Sequence, residues 1–133
     1  MDISAVRQAI ADAVKNAIPG LNTYAYVPDS TSVPCFYVGG VEVRYDQTLG
    51  DNNCELSIVC PILISNTNDR SGQMQLDTFL MPAGDQSLKA AIESDPSLGD
   101  LCSFVEVVSA QNYGYNNSRL GADLIINVVG NGV

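Results

Sequence analysis

Apolar residues at helical spacing open the chain. They recur every three or four positions: Ile3, Val6, Ile10, Val14 and Ala17. Asp2 stands before them as a cap and Pro19-Gly20 follows as a stop, so the pattern predicts an amphipathic helix over residues 2–17. The other face is polar, and we expect it to lie in solvent or against a neighbour: Arg7, Gln8, Asp12 and Lys15.

Extended segments follow this helix. Residues 21–27 and 35–38 are apolar enough for strands and are separated by a polar loop. In residues 41–46 apolar and charged side chains alternate, which places the charges on one outward face of a strand. A polar segment, 47–53, then leads into a second alternating run, 54–65. The two runs predict a long hairpin.

The run 54–65 has one clearly apolar face: Leu56, Ile58, Cys60, Ile62 and Ile64. Val59, Pro61 and Leu63 leave its opposite face partly apolar. Pro61 predicts an edge position or a bulge, because proline cannot donate to a strand ladder. Gly39-Gly40 precedes a strand and not a helix, which favours a bulge or a close backbone approach over phosphate binding.

The second half of the chain predicts two helices and two strands. Asn68-Asp69 can cap a helix that ends at Pro82, and Ser87 can cap a shorter one. Residues 102–113 and 120–129 then read as strands joined by residues 114–119. The predicted fold is a single α+β domain over 1–133, an antiparallel or mixed sheet packed against an N-terminal helix and two central helices.

Composition and charge narrow the function. The chain has 46% hydrophobic and 16% charged residues, which is typical of one globular domain. Its net charge of -9 disfavours specific nucleic-acid binding, because such a surface repels phosphate. We also find no apolar run that could span a bilayer and no secretion signal, so we expect a soluble, unsecreted product without membrane contact.

The sequence gives little support for a metal site or for a catalytic nucleophile. The four cysteines (Cys35, Cys54, Cys60 and Cys102) show no C-x-x-C spacing, and the chain has no histidine. We expect buried, reduced thiols, no metal, no cofactor and no enzymatic activity.

Two groups of polar residues remain as candidates. Asp51 with Glu55 or Asp46 offers an acid and base pair or calcium ligands, but the segment lacks the glycine and closing glutamate of a calcium loop, so a solvated hairpin tip explains it better. Tyr113, Tyr115 and Arg119 gather near the last turn, where they can form a protein contact. The alternative is a tyrosine pair that covers the sheet end, with Arg119 in a surface ion pair.

Several segments together resemble the tail terminator, or tail completion, proteins of long-tailed bacteriophages. Asp69-Arg70-Ser71-Gly72-Gln73 followed by Leu76-Asp77-Thr78-Phe79-Leu80 resembles the central helix of that family. Ser87-Leu88-Lys89-Ala90-Ala91-Ile92-Glu93 with Leu98-Gly99 is similar to its second helix and turn. Tyr113-Gly114 with Leu120-Gly121-Ala122 is similar to its last hairpin, and the opening helix with its Tyr-x-Tyr strand ending in Pro28-Asp29 fits as well.

This resemblance implies a structural subunit of the virion. It would form a homo-hexameric ring at the head-proximal end of the tail, end growth of the tube protein, and join the tail to the head-side connector or stopper. Genome DNA would pass through the ring without specific binding, and assembly would take place in the host cytoplasm. The resemblance implies no cofactor.

Two other functions stay open. The nearer is another neck or tail-tube subunit, either a head-completion adaptor or a tube protein. The other is a small carboxylate-based hydrolase or binding module at Asp46, Asp51 and Glu55. For the ring, we expect the hairpin tip over residues 45–53, with Tyr45, Asp46 and Asp51, to face the channel or an adjacent ring.

Overall fold

Helices and strands alternate in blocks along the chain. The computed structural model describes residues 2–30, 32–45, 54–67, 69–116 and 119–130. Its elements are α1 (Ile3–Ala17), β1 (Asn22–Tyr24), β2 (Cys35–Tyr37), β3 (Val41–Tyr45), β4 (Cys54–Ser65), α2 (Arg70–Phe79), α3 (Leu88–Glu93), β5 (Phe104–Asn116) and β6 (Arg119–Val129). The predicted α+β class, with one mixed sheet and an N-terminal helix, is confirmed.

Each helix begins at a capping side chain. The capping oxygens accept hydrogen bonds from backbone N–H groups three positions on: Asp2 from Ala5 at 3.2 Å, Asp69 from Gly72 at 2.7 Å and Ser87 from Ala90 at 3.1 Å. These bonds satisfy donors that a helix leaves free at its first turn. The predicted caps of α1 and α3 are therefore confirmed, and Asp69 is the cap of α2. Asn68 lies outside the described residues.

The sheet is mixed because its first pair of strands is parallel. The strand order is β1-β2-β4-β6-β5, with β3 beside β4 as well. β1 runs parallel to β2, and the other pairs are antiparallel. The predicted strand over residues 21–27 is too long, since only Asn22–Tyr24 pairs with β2. Beyond it, Tyr26 turns toward α1, where its hydroxyl lies 2.8 Å from Ser4 Oγ.

One hydrophobic core lies between the helices and a single face of the sheet. The predicted apolar face of β4 is buried in it: Leu56, Ile58, Cys60, Ile62 and Ile64. The alternate residues of β6 and the buried faces of the helices pack against that face, including Val6, Ile10, Val14, Leu76 and Ile92. Burial of each such aliphatic side chain stabilises the fold by about 1.5–3 kcal/mol. The helices thus cover one side of the sheet.

Pro61 lies in an interior strand, so its predicted edge position is wrong. β4 pairs with β6 along one side and with β2 and β3 along the other. Val59 exchanges hydrogen bonds of 2.9 Å with Gly39 and Gly40, where β2 ends and β3 begins. Two residues on, Pro61 directs its nitrogen to the same side, where the missing N–H costs no ladder bond. The bulge in β4 lies between Leu63 and Ser65.

The last hairpin is longer than predicted. β5 continues to Asn116 and β6 starts at Arg119, so most of the predicted loop 114–119 belongs to the two strands. Two irregularities interrupt β5, between Val107 and Ser109 and again between Gln111 and Gly114. In the second, Asn112 has a φ of 56° and Gly114 a φ of 145°. Backbone conformations of this kind re-aim the side chains around them.

The close approach predicted at Gly39 gives a test of this strand junction. A Cβ added at Gly39 would stand 2.5 Å from the carbonyl oxygen of Val59, whereas one at Gly40 would meet nothing within 4 Å. We expect Gly39→Ala to lower the free energy of unfolding by about 1–3 kcal/mol, as overpacking does. Gly40→Ala should stay within about 0.5 kcal/mol of the unmodified chain. Urea denaturation measures both, and equal losses would contradict the close approach.

Candidate interface surfaces

Tyr113 and Tyr115 join the end of β5 to the helical side of the molecule. The Tyr113 hydroxyl donates a hydrogen bond of 2.6 Å to Asp77 Oδ1 on α2, and the Tyr115 hydroxyl donates one of 3.0 Å to the carbonyl oxygen of Asn66. Both side chains remain about half exposed. The pair therefore covers the end of the sheet and holds α2 against it, while one side of each ring stays open to solvent.

The bond to Asp77 changes the acidity of Tyr113. The neutral hydroxyl donates to a carboxylate, so this hydrogen bond, with a smaller contribution from burial, raises the pKa of Tyr113 above its ordinary value. The tyrosine is consequently a donor held in its protonated form, which suits a positioning contact and not a catalytic base.

Arg119 lies on the opposite face of the sheet, so the predicted trio is divided. Tyr115 is opposite Leu120, whose side chain is buried in the core, and Arg119 precedes Leu120 on the alternate face. There it borders an open groove of about 530 Å³, whose lining also includes Tyr37, Pro61, Leu63, Gly114 and Asp123. The three residues are neighbours in the sequence, but they do not form one cluster in the fold.

The groove carries both charges and apolar walls. Asp123 Oδ2 accepts a hydrogen bond of 2.8 Å from Asn112 Nδ2, so this carboxylate is already engaged on the open face. Gly121 forms part of the floor, and a Cβ at that position would collide with the Ile62 carbonyl oxygen. The glycine is therefore required by the packing of β6 on β4.

A row of apolar side chains crosses the open face of the sheet. Val59 on β4 pairs with Ile125 on β6, whose partner on β5 is Ser109, and Val108 stands in the bulge just before Ser109. Val59 is 37% and Val108 57% exposed, and Phe104 at the end of β5 is 43% exposed. Val59, Ile125 and Phe104, which is opposite Val129, are thus apolar groups from three strands on the face that the helices do not cover.

A charged strip lies next to this row. Arg44 Nη2 on β3 is 2.9 Å from Glu55 Oε1 and donates to Asn127 Oδ1 at 3.3 Å, and Arg44 Nη1 is 4.0 Å from Glu42. A hydrogen bond from Asn127 and the positive charge of Arg44 hold the pKa of Glu55 below its ordinary value. Glu55 is therefore ionised and paired, which does not suit the general acid of the carboxylate hypothesis.

The predicted hairpin tip is only partly described. Tyr45 ends β3 with 74% of its side chain exposed. Asp46 and Asp51 lie outside the described residues. Tyr45 is the member of that predicted group whose exposure can be stated. It alternates with Glu42 and Arg44 and follows Val41 and Val43, so it lies at the end of β3 on the face of the sheet that packs on the core.

Arg7 makes contacts within the fold, although the sequence pattern placed it on the polar face of α1 that was expected to meet solvent or a neighbour. Its guanidinium donates to the carbonyl oxygens of Ala25 at 3.2 Å, Val38 at 2.8 Å and Gly39 at 2.8 Å. Its Cζ also lies 4.8 Å from the centre of the Tyr26 ring. One side chain thus fastens α1 to the ends of β1 and β2.

Three of the four cysteines are buried, as predicted, and Cys54 is half-buried. Burial raises the pKa of Cys60 to about 12, so its thiol stays protonated and inert. In the described ranges, no three Cys, Asp or Glu side chains are close enough to share a metal ion. None of the helices described is long and apolar enough to cross a membrane.

These features define a class, an α+β domain whose helices cover one face of a mixed sheet and leave the other face open. No protein-family model matches the chain, and no curated protein sequence matches it either.

The role of Arg7 is tested by the conservative change Arg7→Lys. A lysine ammonium cannot reproduce the planar fork that reaches three carbonyl oxygens, so we expect the free energy of unfolding to fall by about 1–3 kcal/mol. Arg70→Lys is the matched control, because Arg70 is exposed at the start of α2, and it should change stability by less than about 0.5 kcal/mol. Urea denaturation of both variants measures the difference, and similar values would refute the fastening role.

The Tyr113 contact predicts a pH dependence. Because its pKa is raised in the folded state, the stabilising bond is fully present below the ordinary tyrosine pKa and is lost as the pH rises through the folded value. Asp77→Asn should lower the pKa of Tyr113 toward the ordinary value. The measurement is tyrosinate absorbance against pH, each protein being compared with its Tyr113→Phe counterpart. Asp12→Asn on α1 is the control, and an identical shift in both variants would rule out the bond as the cause.

Proposed function

We propose that this chain is a structural subunit of a phage tail, a terminator that forms a hexameric ring on the last ring of the tail tube. The ring stops tube growth and presents a surface to the head-side connector. The resemblance of the central helix, the second helix and the last hairpin to tail terminator proteins supports this function. Those segments correspond here to α2, α3 and the paired strands β5 and β6.

The observation that carries the proposal is the uncovered face of the sheet. A free-standing domain normally shields its large apolar groups, whereas this face exposes Val59 and Phe104 on strands that pack helices on their other side, with the exposed Val108 in the bulge of β5. Exposed apolar rows of this kind mark protein contacts. A subunit that is buried between neighbours in a ring has a use for such a face.

The charge of the chain fits a channel for DNA. With 15 acidic and six basic residues the surface repels the phosphate backbone, so a ring of these subunits lets the genome slide without sticking. Asp46 and Asp51 on the segment between β3 and β4 are the residues we propose for the channel or for the adjacent ring.

The other neck and tube functions share the same support, since they also assemble in rings. The position in the particle separates them: a terminator forms one ring at the head-proximal tip, whereas a tube protein repeats along the tail. No observation on the described residues favours the hydrolase, because Glu55 is held ionised by Arg44 and Asn127.

Deletion of the gene from the phage tests the terminator function. Without the subunit, tube polymerisation has no stop and the tail has no joint, so we expect tails of uncontrolled length that do not attach to heads. Electron microscopy of the lysate measures both. Complementation with the unmodified chain should restore tails of one length on full heads. Normal tails on full heads in the deletion mutant would end the proposal.

A further inference from the structure

Among the described strands, β1, β3 and β5 each pair with one neighbour only, and β3 and β5 carry backbone groups that point away from that neighbour. Val59 directs its N–H and C=O toward β2 and β3. Because these groups point to opposite sides of a strand in alternate residues, the register then tells toward which neighbour each residue's backbone groups point. In β3, residues 42 and 44 then bond to β4, and Val43 points away from it. The same alternation continues from β4 through β6 to β5. It shows that the N–H and C=O of Ala110 point away from β6, the one strand that pairs with β5.

The first part of the β5 edge is closed by the chain's own groups. The Val107 N–H donates to Glu93 Oε2 at 2.8 Å, and Lys89 Nζ donates to the Val107 carbonyl oxygen at 3.2 Å. Lys89 and Glu93 are themselves 2.6 Å apart on α3. The Val105 N–H is likewise bonded, to the Pro96 carbonyl oxygen at 2.8 Å. Side chains of α3 and one loop carbonyl thus take the place of a neighbouring strand.

The second part of the edge has none of these protections. From residue 108 to residue 116 the sequence contains no charged residue and no proline, two of the devices that keep edge strands apart, and its two bulges leave a regular stretch between them. Val108 is largely exposed, and residues 109–111 keep a regular register between the two bulges. Within the described part of the chain, nothing bonds to the outward N–H of Ala110.

β3, an edge strand on the other side of the sheet, is complementary to β5 in direction, and its charges do not oppose the contact. The strands β3, β4, β6 and β5 alternate in direction, so the two edges are antiparallel to each other. Two copies placed side by side in the same orientation therefore meet as an antiparallel pair. The charges on β3, Glu42 and Arg44, balance each other, so neither edge adds to the net charge of -9.

We propose that β3 of one copy pairs with residues 108–112 of β5 in the next, so that the sheet continues from subunit to subunit. The inference rests on the proposed ring and names the surfaces that form it. The two edges differ, so the contact is heterologous, which is the type that generates rings when the rotation closes. The partner is a second copy of this chain, joined by main-chain hydrogen bonds.

Proline substitution on each edge tests the pairing. Ala110→Pro and Val43→Pro each remove an outward N–H, which has no partner among the residues that the structure describes. Light scattering of the purified full chain should give an oligomer for the unmodified protein and a monomer for each variant alone. An equimolar mixture of the two variants should give a dimer, because one keeps an intact β3 and the other an intact β5. Ala110→Thr, which keeps the N–H, is the control and should remain oligomeric.

The outcomes separate this inference from the ring itself. Oligomers of unchanged size in both proline variants would overturn the edge pairing and leave ring formation to another surface. A Val43→Pro variant that dimerises alone would overturn it in favour of contacts between two β5 strands, and a monomeric unmodified chain would overturn it outright. A mixed dimer together with normal tails in the deletion phage would sustain the pairing and refute the terminator function. If circular dichroism shows that a proline variant is unfolded, Tyr45→Pro and Val108→Glu replace the two changes at exposed side chains.

Discussion

The fold depends on one constraint, which is that β4 is paired on both sides although no single strand covers its outer side. β6 satisfies one side, and β2 and β3 divide the other between them. The division falls at Gly39-Gly40, where Val59 bonds to both glycines and a Cβ at the first would strike its carbonyl oxygen. Pro61 can occupy an interior strand because its nitrogen faces this division. The register that buries the apolar face of β4 follows from that arrangement.

Arg7 and the tyrosines determine how the helices are held on the sheet. The guanidinium of Arg7 bonds to carbonyl oxygens where β1 and β2 end, groups that a short strand leaves without ladder partners. Tyr113 does the equivalent at the other end by bonding to α2. Because the helices pack on one side of the sheet, Val59 and Phe104 on the other side stay exposed, and their exposure is a consequence of the same one-sided packing.

Local patterns predicted the elements well and their contacts poorly. The capping residues and apolar periodicity located α1 and α3, and strict alternation located β4, because these signals act over a few residues. The parallel pairing of β1, the interior place of Pro61 and the bonds of Arg7 depend on residues far apart in the chain, which periodicity does not report. Tyr115 and Arg119 were grouped by sequence, yet side-chain alternation in the paired strands places them on opposite faces.

The β5 edge is closed by side chains of α3 at Val107 and is left open after residue 108. This difference bears on whether the open part has a function. At Val107 an ammonium and a carboxylate from α3 occupy both outward backbone groups, at the cost of partly burying an ion pair. Burial by itself raises the pKa of Glu93, but hydrogen bonds from Lys89 and the Val107 N–H outweigh it and leave the value lowered, so the closure persists at neutral pH. The fold therefore closes one part of the β5 edge with charged side chains and places none of them on the other part. The contrast favours an edge that is kept available for a neighbouring subunit. Since each subunit carries a net charge of -9, two copies repel each other, and a contact through uncharged backbone groups adds nothing to that repulsion.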